Sequence, residues 1–139
     1  MNDRYLYRAK RIGSPNAGEW VKGTYVHTNL GREMICDGTT YIGINRPCMI
    51  DIDISTLCAC TGLKDKNGKL IWENDILVGY LDDMYPENAT YAQVIWDKNG
   101  FYTKEQYSDD ISLMDEFDEK HFEVCGNIFD NPELLEVGE

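Results

Sequence analysis

The sequence contains no run of about 18 apolar residues, the length a membrane-crossing helix needs, so no membrane-spanning segment is expected. Residues 1–8 lack the apolar stretch of a secretory signal, which predicts a protein that stays in the cytoplasm of the cell that makes it. There are only two histidines, His27 and His121, and neither sits in a nucleophile–base arrangement. Gly62 and Gly68 are not followed by the Lys-Ser or Lys-Thr of a phosphate-binding loop. Basic residues are scarce: 13 Lys and Arg stand against 25 Asp and Glu, for a formal net charge of −12. So negative a chain repels phosphates, which argues against direct nucleic-acid binding and against docking on anionic membranes. Internal repeats and low-complexity segments are absent.

What is present is a core-forming composition. Over 139 residues, 42% hydrophobic and 12% aromatic content is enough for one compact domain or two very small lobes, and excludes wholesale disorder. The five cysteines (Cys36, Cys48, Cys58, Cys60, Cys125) are odd in number and lack an export signal, so they read as reduced thiols acting as small hydrophobes. The negative charge is uneven. Residues 105–119 hold Glu105, Asp109, Asp110, Asp115, Glu116, Asp118 and Glu119 without one Lys or Arg. The plain meaning of such a run is a solvated face; the sharper ones are a docking surface for a basic partner or a mimic of a nucleic-acid backbone.

Along the chain, residues 5–12 and 20–26 flank the turn cluster Gly13-Ser14-Pro15-Asn16-Ala17-Gly18 and predict an N-terminal hairpin. Short strands are expected at 33–36, 40–44 and 49–52. Asn67-Gly68 marks a tight reversal, and residues 70–75 form a corner leading into a strand at 76–80. A polar loop over 82–90 precedes a hairpin of 91–96 and 100–103. Ser108-Asp109-Asp110 suits a helix start, with Ile111, Met114 and Phe117 at three-residue spacing behind it. Residues 122–125 read as a last strand, Asn131-Pro132 as the cap and first turn of a short helix docking Leu134 and Leu135, and 136–139 as a frayed end. Many short strands and few helices mean a mainly β, β-rich α+β fold with one or two short helices and small-barrel geometry.

Two groupings suggest chemistry. Cys58 and Cys60 share one strand face, and His27 or His121 could join them around zinc, but structural zinc takes paired ligand clusters and this pair stands alone. Asp65, Glu73 and Asp75 near Trp72 could hold a divalent cation or a small ligand, or act as acid and base. Acidic side chains at turns and corners also accept backbone N–H bonds, the structural alternative for the same residues. The aromatics Tyr5, Tyr7, Trp20, Tyr25, Trp72, Trp96, Phe101 and Tyr102 lack neighbouring basic residues for stacking on nucleic acid and are expected to fill a β core. No cofactor and no metal is expected, and no enzyme signature is present.

Three segments carry a family resemblance. Thr61-Gly62-Leu63-Lys64-Asp65-Lys66-Asn67-Gly68-Lys69-Leu70-Ile71-Trp72-Glu73-Asn74-Asp75-Ile76 resembles the YopX signature T-G-L-x-D-x-N-G-x-x-I-(aromatic)-E-G-D-I-V. Val124-Cys125-Gly126-Asn127-Ile128-Phe129-Asp130-Asn131-Pro132-Glu133-Leu134-Leu135 is similar to V-I-G-N-I-Y-x-N-P-E-L-L, and residues 5–12 and 18–23 resemble the family's opening. Asn74 stands where the family has glycine, and Asn is the next most tolerant of positive φ. Cys58-Ala59-Cys60 replaces Gly-Gln-aromatic, which weakens the zinc reading. The resemblance implies a phage- or prophage-encoded protein with an N-terminal β-rich part (1–57) and a C-terminal SH3-type β-roll (58–139). It implies no settled activity. The expectation is a non-enzymatic accessory protein contacting an unknown host or phage protein, with self-association through strand edges left open.

Overall fold

A computed structural model describes residues 6–13, 15–40, 47–80, 89–97 and 100–136. The expected strand at 40–44 beyond Thr40, most of the 82–90 loop, the 98–99 turn and residues 137–139 lie outside these. The chain divides into two compact units, Met1–Cys60 and Thr61–Glu139.

In the first unit, β1 (Tyr7–Lys10) and β2 (Trp20–His27) form the N-terminal hairpin, with Tyr7 opposite Gly23 and Lys10 opposite Trp20. β3 (Glu33–Thr40) follows a turn at Gly31, and β4 (Pro47–Asp51) closes that edge. The start of β5 (Cys58–Lys64) pairs with β1, so the order is β4-β3-β2-β1-β5. Pro47, which has no N–H to give, is tolerated because β4 is an edge strand. β3 runs past the expected end at Cys36 to Thr40, across a register irregularity between those two residues. Alternation sends Ala9 and Ile35 inward with Ile52, packed by Tyr7, Val21, Tyr25 and Leu57. A 3-10 turn (Ile54–Thr56) is capped by Asp53, and Thr56 Oγ1 accepts the Lys10 N–H.

In the second unit, the end of β5 reverses at Asn67-Gly68 into β6 (Leu70–Trp72), with Gly68 at φ +83. β7 (Asp75–Tyr80), β8 (Ala89–Asp97), β9 (Gly100–Glu105) and β10 (Ile111–Leu113) form an antiparallel meander. After the helix α1 (Glu116–His121), β11 (Phe122–Asn127) returns beside β7, giving the order β10-β9-β8-β7-β11. Residues opposite one another across an antiparallel pair share a face. One face of this sheet therefore carries Leu77, Val94, Phe101 and Val124 toward a core completed by Ile71, Met114 and Leu63. The protein is thus mainly β, built of antiparallel sheets, with one short α-helix among the described residues. No helix among the described residues is long and apolar enough to cross a membrane.

Two expectations are corrected. Ser108-Asp109-Asp110 does not open a helix: Ile111–Leu113 pairs with Tyr102–Lys104 as an edge strand, and ladder hydrogen bonds outweigh a weak local helix signal. α1 begins only at Glu116, where Asp118 Oδ2 accepts the Asp115 N–H at 2.9 Å, the reciprocal half of a capping box. Asn131 precedes the 3-10 turn Pro132–Leu135 but makes no side-chain cap to it. Its Oδ1 instead accepts the N–H of Asn127 at 3.3 Å, and it lies so close over Gly126 that a Cβ there would come within 2.5 Å of it. Gly126→Ala is therefore expected to lower unfolding stability by about 1–3 kcal/mol, with much of the loss removed in an Asn131→Ala background; urea denaturation of the single and double variants measures both.

Candidate functional site

The carboxylates singled out in the sequence are bound up with the backbone. Asp65 is 5% exposed; its Oδ1 accepts the N–H groups of Asn67 and Lys69, each at 2.9 Å, and its Oδ2 accepts that of Val124 at 2.9 Å. Burial works to raise this carboxyl, yet the three backbone donors and the Lys69 charge outweigh it and hold Asp65 below the usual carboxylate range. Asp75, 1% exposed, accepts the Trp72 N–H at 2.8 Å through Oδ2 and closes the corner between β6 and β7. At that corner Asn74 adopts φ +70, donates its N–H to Val94 at 2.7 Å and accepts the Ile128 N–H at 3.0 Å. Glu73 is half-buried at the same corner, and Trp72 is buried. Thr61 Oγ1 donates to the Ile71 carbonyl at 2.7 Å, and Asn127 Oδ1 accepts the N–H groups of Phe129 and Asp130. These polar motif residues act as backbone clamps.

The candidate thiols do not gather with either histidine. Cys58 and Cys60 are buried in β5, and the Cys58 thiol donates to the Thr56 carbonyl. His27 is exposed and bonds through Nδ1 to Glu33, whose other oxygen accepts the Tyr25 hydroxyl. Among the described residues no group of three or more His, Cys, Asp and Glu side chains is placed to hold a metal ion. Trp96, expected in the core, is 52% exposed and meets Phe101 edge-on at 4.9 Å.

A different site lies on the core-facing side of the second unit's sheet. Beyond the apolar cluster, the same face continues as Gly79, Thr90, Thr103, Glu105 and Ser112, the floor of a cleft of about 500 Å³. Leu113 and Asp115 form its rim, and Asp118 and His121 of α1 line it as well. Phe122 occupies the row of Gly79, where a Cβ would stand 2.6 Å from the Phe122 ring; glycine makes room for that ring. Asp118 is 7% exposed, and burial pushes its carboxyl above the usual range; the Asp115 charge adds to this, while the Asp115 N–H and His121 offset part of it. Among the described residues, three carboxylates line the cleft and no Lys or Arg does.

Residues 7–136 match the family model described as YopX protein. The chain belongs to the YopX family. Among solved structures it is similar to the crystal structure of protein EF1440 from Enterococcus faecalis, at 23% identity and a TM-score of 0.56 over 94% of this chain and 96% of that one. That likeness concerns the fold. No curated protein matches.

For this YopX protein, sequence reasoning found Glu105, Asp115 and Asp118 as part of an acidic run but not as walls of a cleft, and missed Thr90, Thr103, Ser112 and Phe122. Strand alternation could have put Thr103 and Glu105 on one face; nothing local signals that β7, β11 and α1 join them.

Two expected outcomes follow from the titrating groups. Asp65→Asn should cost about 2 kcal/mol, because backbone donors lose an acceptor. Since the folded-state value is depressed, the wild-type carboxylate's contribution is present above the unfolded value of about 3.9 and is lost as pH falls through the folded value. Acid unfolding curves should therefore be flatter for the variant below about pH 4. In unit 1, the hydrogen bond to Glu33, with burial and the Glu33 charge adding, pushes Tyr25 up to about 12. Ultraviolet titration should show a late ionisation that disappears in Tyr25→Phe and is moved down by Glu33→Gln.

Proposed function

We propose that this YopX protein is a non-enzymatic accessory protein of phage or prophage origin that acts in the bacterial cytoplasm by binding a basic partner protein through its second unit. The observation that carries this reading is the segregation of charge. Met1–Cys60 has seven Lys and Arg against six Asp and Glu, whereas Thr61–Glu139 has six against nineteen. The second unit alone thus accounts for the negative charge of the chain. A field of one sign on a small domain steers oppositely charged partners and rejects others. The acidic run supports the same reading, since Asp109, Asp110 and Asp115 are exposed around β10. A framework role for the motif carboxylates favours binding over turnover: Asp65 and Asp75 spend acceptor capacity on backbone N–H groups, which an acid–base catalyst would need for substrate.

Affinity capture from host and infected-cell lysates tests the proposal. The immobilised wild-type chain should retain a basic protein that elutes as salt is raised, and a variant with Asp109, Asp110 and Asp115 changed to Asn should lose most of it. Equal retention by the two chains, or no reproducible basic protein, would overturn the reading.

A further inference from the structure

The first unit carries a basic surface that the docking of a partner on the second unit leaves unused. Strand alternation sends Tyr7, Ala9 and Val21 to the core of the first unit, so Arg8, Lys10, Trp20 and Lys22 share the opposite sheet face. Register sets Arg8 directly across from Lys22 and Lys10 across from Trp20, a block of four side chains. The Arg8 guanidinium lies 4.7 Å and the Lys10 ammonium 5.5 Å from the Trp20 ring centroid, which gathers both cations over one indole. Lys22 is exposed beside them, and neither β1 nor β2 contains an Asp or Glu. Like charges directly opposite across a strand pair are destabilising, and carboxylates brought alongside offset that repulsion.

We propose that this block docks on the acidic run 105–119 of a second copy of the chain, so that copies associate and cover one another's docking surface. As in the reading of function above, the run around β10 receives a basic surface; here the surface is the chain's own. Charge complementarity favours this occupant. Glu105, Asp109, Asp110 and Asp115 are exposed on the run, which holds no Lys or Arg. Two chains of net −12 repel as wholes, but this contact sets the near-neutral unit of one against the acidic unit of the other, the least repulsive pairing of units. It joins two different patches, so it is heterologous and can repeat from copy to copy. Nucleic acid fits the block less well. A second unit with six Lys and Arg against nineteen Asp and Glu repels a line of phosphates. Arg8 and Lys10 also occupy the Trp20 ring on which a base would stack.

Sedimentation equilibrium of the full chain is the test, in about 0.1 M salt, where the Debye length of about 10 Å leaves only neighbouring charges in contact. The average mass should rise above that of one chain as concentration is raised, and return to it in about 1 M salt. Lys10→Glu/Lys22→Glu and, separately, Asp109→Lys/Asp110→Lys should each weaken association at least about tenfold. An equimolar mixture of the two variants should restore it, because the intact run of one then meets the intact block of the other. Circular dichroism certifies folding, and Lys22→Glu, at an exposed position, decides the matter should the double variant not fold. A chain that stays monomeric at every concentration would overturn the proposal, as would association that both variants retain or that the mixture does not restore. Binding of a labelled single-stranded oligonucleotide by the wild type, lost in Lys10→Glu/Lys22→Glu, would also overturn it and assign the block to nucleic acid. Capture from lysate keeps the two readings apart, since Lys10→Glu/Lys22→Glu should still retain the basic partner. Charge-dependent capture by a chain that never associates would sink only the self-contact; association restored by the mixture, with no basic protein captured, would sink only the docking of a basic partner.

Discussion

Three backbone N–H groups, from Asn67, Lys69 and Val124, meet at the Asp65 carboxylate, and the second unit is organised around that meeting. Two of the donors belong to the Asn67-Gly68 reversal and the third to β11, 59 residues further along the chain. A charge-assisted acceptor buried at 5% exposure makes the reversal rigid and fixes where the last strand must return. β11 placed there pairs with β7, and that pairing completes the sheet whose face bears both the apolar core and the cleft.

The corner at Asn74 and Asp75 extends the same logic. Its left-handed residue lets the chain turn, its N–H reaches β8, its carbonyl receives Ile128, and Asp75 ties back the Trp72 N–H. Asn127 and Asn131 repeat the device at the end of β11, using side-chain oxygens to satisfy N–H groups where the ladder stops. Polar residues at the bends therefore hold the strands, and the sheet face is left to vary its chemistry from Leu77 and Val94 at one end to Thr103 and Glu105 at the other.

Net charge alone gives an averaged picture of this molecule. A value of −12 disfavours phosphate binding for the chain as a whole, yet the first unit is close to neutral, and Arg8 and Lys10 stack over Trp20 at 4.7 and 5.5 Å on its sheet. The physically meaningful quantity is the charge of the second unit, concentrated where β10 and α1 border the cleft.

Family membership, the mainly β class, the N-terminal hairpin and the Asn67-Gly68 reversal were all legible in the residues, because turn chemistry, alternation and a long motif are local signals. The structural role of Asp65 and Asp75 was legible as one of two alternatives, since acidic residues at bends commonly serve the backbone. The start of α1 was not, because Ile111 belongs to whichever partner offers it hydrogen bonds, and β9 is not visible from Ser108. The cleft was least legible. Its walls come from β7, β8, β9, β10, α1 and β11, ordinary residue types spread from Gly79 to Phe122, and only pairing register and the return of β11 bring them to one place. Local signals thus determined the strands and bends, while the sharing of one sheet face by distant side chains was decided by tertiary structure, since sheet pairing is non-local and a one-residue change of register would turn each of them to the opposite side.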